Sequence, residues 1–77
     1  MVTSEQIKMA RAALGWSIET LAKRSGVGVR TINRIEAQNG LPNATTANLK
    51  IIRLTLEAAG VEFIGSADDG PGVRLWK

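Results

Sequence analysis

The chain has 77 residues, a net charge of +3, and no cysteine, histidine or tyrosine. That length makes one small domain, which buries only about 60% of the surface its unfolded chain exposes. Disulfides and thiolate metal sites are excluded, and so is the commonest general base.

Hydrophobic residues at 44% and charged residues at 22% give a globular balance rather than a disordered one. No apolar run approaches the roughly 20 residues needed to span a bilayer. The start, Met1-Val2-Thr3-Ser4-Glu5, lacks the basic and apolar regions of a secretion signal, so a cytoplasmic protein is expected. The charge is uneven. Residues 1–53 carry eight basic and three acidic side chains, whereas residues 54–77 carry two basic and four acidic ones. The first two-thirds of the chain suits a polyanion.

Thr3 with Gln6 three residues later reads as a capping box. Ile7, Met9, Ala10, Ala13 and Leu14 follow at helical spacing, and Gly15 ends the helix. Ser17 then caps a second helix, with Glu19 in its first turn and Leu21 and Ala22 on its apolar face. Lys23 and Arg24 suit the C-terminal end of that helix, and Gly26 closes it. A third helix is expected from near Gly28 to Glu36, carrying Ile32 and Ile35 inward. Asn39-Gly40-Leu41-Pro42-Asn43 reads as a loop.

A longer helix is predicted from about Ala44 to Ala59, closed by Gly60. At 100° per residue Leu49, Ile52, Leu56 and Ala59 form one stripe, and Ala47, Ile51, Leu54 and Ala58 form another nearly opposite. A surface helix of a monomer needs one apolar stripe. The second is expected either to meet another subunit or to be covered by the C-terminal tail. In that tail Val61–Ile64 and Val73–Trp76 are short, β-rich segments, with Gly65–Gly72 read as the loop between them. A lone hairpin is marginal in water, so this one must dock on the helices or pair with a second chain. The expected organisation is a helical unit over residues 1–60 and a dimerising extension over residues 61–77. Ala47, Ile51, Leu54, Ala58, Val61, Phe63, Leu75 and Trp76 are its candidate interface residues.

The densest signal lies between Ser17 and Glu36. A small Ala22 lets two short helices cross closely. Gly26 accepts the positive φ of a tight turn, and Leu21, Val27, Ile32 and Ile35 fill the angle between the helices. This is the pattern of a helix-turn-helix. Its second helix exposes Val29, Arg30, Asn33 and Arg34 on a face that fits the major groove of B-DNA.

These residues resemble the lambda-repressor-like, Cro-type helix-turn-helix family. The matching stretches are IKMARAALGWS (7–17), ETLA (19–22), SGV (25–27) and TINRIE (31–36), and the likeness spans about residues 4–58. It implies a mainly α fold, a compact four-helix domain, here ending in a short β-hairpin. It also implies a DNA-binding regulator, often a repressor acting as a homodimer on palindromic operators. Carried over, Gly28, Val29, Arg30, Thr31, Asn33 and Arg34 belong to the DNA-facing helix, and Ser17 and Ile18 face the DNA backbone. Arg11 and Glu36 stand where relatives pair an Arg of the first helix with a Glu ending the third. Ile18 replaces the usual Gln, Gly28 replaces a usual Ser or Thr, and the usual fifth helix is absent. The ending resembles antitoxins of the family whose dimers are sealed by short C-terminal strands. Two readings therefore stand: an operator-binding repressor, and an antitoxin that also holds a protein toxin. No enzyme, metal or cofactor is expected, because no carboxylate pair, Ser-base arrangement or phosphate loop stands out.

Overall fold

In the computed structural model, which describes residues 1–76, helices α1 (Ser4–Leu14), α2 (Ile18–Ser25), α3 (Val29–Glu36) and α4 (Thr46–Ala58) precede strands β1 (Val61–Ser66) and β2 (Asp69–Leu75). Lys77, the last residue of the expected extension, lies outside the described residues.

Local chemistry sets most boundaries. Thr3 Oγ1 accepts the Gln6 N–H and Gln6 Oε1 accepts the Thr3 N–H, so the capping box is closed. Ser17 caps α2 and Thr45 caps α4 through side-chain oxygens. Gly15 and Gly26 stop α1 and α2 in the left-handed conformation, at φ 68° and 79°, where a side chain would be strained. The cap at Thr45 starts α4 two residues later than its apolar pattern suggests.

One core unites the helices with the hairpin. Ile7, Ala10, Leu21, Ile32, Ile35, Ile52 and Leu56 are fully buried, and Val61 at the start of β1 joins them. Ser4 and Gln6 are buried as well, whereas Met9, expected inside, is exposed. Both polar side chains are satisfied. Ser4 Oγ donates to the Ile35 carbonyl at 2.6 Å and so ties α1 to the end of α3. The Gln6 amide nitrogen donates to the carbonyls of Ile64 and Gly72, both at 2.9 Å.

The strands pair antiparallel, Val61 with Leu75 and Phe63 with Val73, and the register shifts between Ile64 and Ser66. The two Gln6-bound carbonyls lie beside that shift, where the ladder is interrupted. The expected loop at Gly65–Gly72 is corrected here. The strands continue to Ser66 and resume at Asp69, leaving a two-residue turn. Of the glycines in that stretch, Gly72 pairs with Ile64, whereas Gly65 and Gly70 lie within the strands at the register shift. Gly65 has φ 75°, and a methyl group there would run into the carbonyl oxygens of Gly70 and Asp69, the close backbone approach typical of a glycine in a bulged strand. The Trp76 N–H closes the hairpin on the Gly60 carbonyl at 2.7 Å.

The tail folds back onto α1 and α4, yet it leaves the second stripe of α4 open. Ile51 is 40% and Leu54 43% exposed, and Ala47 and Ala58 are exposed too. Val61 as an interface residue is corrected: it is only 4% exposed within its own chain and has no surface left to offer a second subunit. Phe63 and Leu75 are half-buried against the same core, and Trp76 remains outside.

Candidate nucleic-acid interface

The α2–α3 corner is built from a three-residue turn. After Gly26, Val27 drops into the core and its N–H is accepted by Ser25 Oγ at 3.1 Å. Gly28 takes the cap position of α3 without a side-chain hydrogen bond. Leu21, Val27, Ile32 and Ile35 fill the corner, fixing the angle at which α3 leaves α2.

That packing turns the polar side of α3 outward. Val29, Arg30, Asn33 and Arg34 are exposed together with Gly28, and Thr31 is half-buried at the edge of the face. Ser17 is exposed at the start of α2, its hydroxyl shared between the Thr20 N–H and the Thr20 hydroxyl. Ile18, the other residue expected to face a DNA backbone, is instead half-buried and packed against the core. An apolar side chain lowers its free energy there and has no donor for a phosphate.

The charges separate in the same way. Among the described residues the ion pairs are Arg11–Glu36, Arg53–Glu57 and Arg74–Glu62. None of the cations of α2 and α3 belongs to a pair: Lys23, Arg24, Arg30 and Arg34 have no carboxylate within bonding distance. An unneutralised basic surface with a protruding helix is the electrostatic footprint of a phosphate-binding face.

Arg11 and Glu36 hold this face from behind. Arg11 Nε and Nη2 donate to the two Glu36 oxygens at 2.9 and 2.8 Å, and Nη1 donates to the Trp16 carbonyl at 3.0 Å. The hydrogen bond to Glu36 raises the Arg11 pKa further above its usual value. One guanidinium therefore joins α1, the α1–α2 turn and the end of α3.

A second feature escapes a helix-by-helix reading. Trp16, Arg24, Ile51, Leu54, Thr55, Ala58 and Ala59 line one shallow groove of about 460 Å³. Arg24 stacks over the Trp16 ring, 4.8 Å from its centroid. The apolar stripe of α4 is thus extended by an indole and edged by a cation from α2. Periodicity within α4 could not show this, because Trp16 and Arg24 reach the groove through the packing of α2 on α4. No group of three or more His, Cys, Asp or Glu that could hold a metal occurs among the described residues, and none of their helices is long and apolar enough to cross a membrane.

No curated protein matches the chain. A family model described as Helix-turn-helix, the lambda-repressor and Cro-like group, matches residues 7–53, from the second turn of α1 into α4, and so includes the whole α2–α3 corner and its free cations. A match over more than half of the chain, on the residues that build this geometry, places the protein in the helix-turn-helix family of DNA-binding transcription regulators.

Proposed function

We propose that the protein is a sequence-specific, homodimeric repressor acting in the cytoplasm, which reads a palindromic operator with α3 in the major groove. The observation that carries this reading is the exposed, unpaired Arg30 and Arg34 on the outer face of α3. Dimerisation is supported by the open groove on α4, where Ile51 and Leu54 remain about two-fifths exposed in the single chain. A two-fold interface brings like residues together near the axis, so the Ala47–Ile51–Leu54–Ala58 stripe would meet its own copy. With protomer extents of 29 × 29 × 18 Å, paired chains can set their recognition helices about one DNA turn apart, roughly 34 Å.

A direct test measures sedimentation and operator binding together. Leu54→Glu, which places a charge in the shared groove, should yield a monomer and weaken binding to a palindrome, while binding to a half-site is retained. A wild-type chain that is monomeric at micromolar concentration yet binds a palindrome tightly would refute the dimer. Unchanged binding in the Arg30→Ala, Arg34→Ala double variant would refute the groove assignment.

One observation favours the antitoxin reading as an addition. Trp76 is 62% exposed but fixed, its Nε1 donating to Glu62 at 2.8 Å with Arg74 lying over its ring. A preorganised surface indole of this kind is a common anchor in protein contacts. Trp76→Ala should then weaken capture of a toxin encoded beside this chain and leave DNA binding intact.

A further inference from the structure

Arg30 and Arg34 are four residues apart on α3, on one face and separated by about 6 Å along the helix axis at 1.5 Å per residue. Base pairs of B-DNA are spaced about 3.4 Å along each strand. A helix lying along the groove floor therefore presents the two guanidinium groups to positions about two base pairs apart. Neither side chain makes a hydrogen bond or an ion pair with another described residue, so both forks are free to pair with the groove floor. Guanine offers the matching pair of acceptors there, O6 and N7. Val29, one residue before Arg30, is exposed at the N-terminal end of the same helix and has no polar side-chain atom. The apolar feature of a major-groove edge is the thymine methyl.

We infer that each half-site carries two guanines separated by one base pair. Arg30 reads one guanine and Arg34 the other, and a thymine on the side of the Arg30 guanine away from the Arg34 guanine sets its methyl against Val29. This rests on the proposed docking of α3 in the major groove and adds the chemistry of the bases it selects. Ser17, the exposed cap of α2 rather than part of the outer face of α3, is left to the phosphates. The selected site is therefore defined by guanines, not by an A·T-rich tract.

The test starts with selection of bound duplexes from random DNA by the full chain, followed by atom-level substitution in the best site. The enriched motif should contain two guanines with one base pair between them in each half, and thymine beside the guanine assigned to Arg30. Replacing the guanine assigned to Arg30 by 7-deazaguanine removes N7 alone. It should weaken wild-type binding about ten- to a hundredfold, the loss expected for one charge-assisted hydrogen bond, and cause no further loss in Arg30→Ala. The other guanine should behave in the same way with Arg34→Ala. Replacing the thymine by uracil should weaken wild-type binding about fourfold, as for one buried methyl group, and have a smaller effect in Val29→Ala. The DNA substitutions are read with the unaltered protein, so misfolding of a variant cannot imitate the result. An enriched motif lacking either guanine, or 7-deazaguanine losses that persist undiminished in the arginine variants, would overturn the assignment while leaving groove docking standing. Absence of any enriched motif would overturn the docking reading itself.

Discussion

Replacing Arg11 by Met is the sharpest probe of how the DNA-facing helix is held. Glu36 is only 5% exposed and Arg11 22%. Arg11 supplies the carboxylate with two hydrogen bonds, at 2.8 and 2.9 Å. Without it a charge remains in a nearly closed site. Breaking a fully buried pair costs about 3–5 kcal/mol, and the partial exposure of Arg11 places this case near 3–4 kcal/mol. Glu36→Leu should cost less, about 2–3 kcal/mol, because a stranded Arg11 can turn toward water. The double variant Arg11→Met, Glu36→Leu should lose about 2–3 kcal/mol rather than the sum, since neither charge is then stranded. For a domain of 77 residues the total stability is about 4–12 kcal/mol, so Arg11→Met alone removes a large part of it. At about 4–8 °C per kcal/mol for a domain of this size, its melting temperature should fall by roughly 15–25 °C. Thermal and urea melts followed by circular dichroism, all at one protein concentration because dimerisation contributes to apparent stability, would measure the cycle. Small and additive losses would refute the reasoning, for they would mean that the two groups are solvated and uncoupled.

Other consequences follow from the hairpin and the N-terminal turn. Gln6→Leu leaves the carbonyls of Ile64 and Gly72 without their shared donor. It should cost about 2–4 kcal/mol and speed amide exchange in β1 and β2 before α2 or α3. Gly65→Ala, which forces a methyl group onto the Gly70 and Asp69 carbonyls, should shift the hairpin resonances and lower the melting temperature, whereas Gly28→Ala, which meets nothing within 4 Å, should be tolerated. Glu5 is held below the usual carboxylate range by its own backbone N–H and by that of Gly40. Its depressed pKa makes the stabilisation present at neutral pH and lost as pH falls through the folded-state value. Glu5→Gln should flatten the acid limb of the stability profile, and an unaltered limb would show that the Gly40 contact contributes nothing.

Which parts were legible in the sequence follows from the range of the interactions. Thr3, Ser17, Gly15 and Gly26 act on backbone groups within a few residues, so their roles are visible in the chain itself. The helix-turn-helix was readable because Leu21, Val27, Ile32 and Ile35 occupy one corner and thereby force the spacing between them. Gln6 was legible only as a cap. Its other partners lie 58 and 66 positions away, and no local pattern points to them. The glycines of the hairpin looked like loop residues because composition does not distinguish a turn from a bulged strand. Val61 looked like an interface residue because alternation fixes which side chains share a face of a strand but not what covers that face. Trp16 and Arg24 were missed at the groove since they belong to different elements from the stripe they extend.

The Gln6 junction also bears on how the chain is made. Gln6 and the hairpin close the same core, so the interior beside the first helix is complete only when the second strand is in place. Chains emerge N-terminus first, at about 5–20 residues per second, and α2 and α3 can assemble their corner while the hairpin is still being synthesised. The buried amide of Gln6 finds its carbonyl partners only after residues 64 and 72 have emerged, and Val61 fills its place only then. A product cut short at Gly60 would thus carry every residue proposed to touch DNA and still lack a closed interior, exposing it to degradation before it could occupy an operator. The hairpin is thus a structural part of the DNA-binding unit, completing an interior that the four helices leave open.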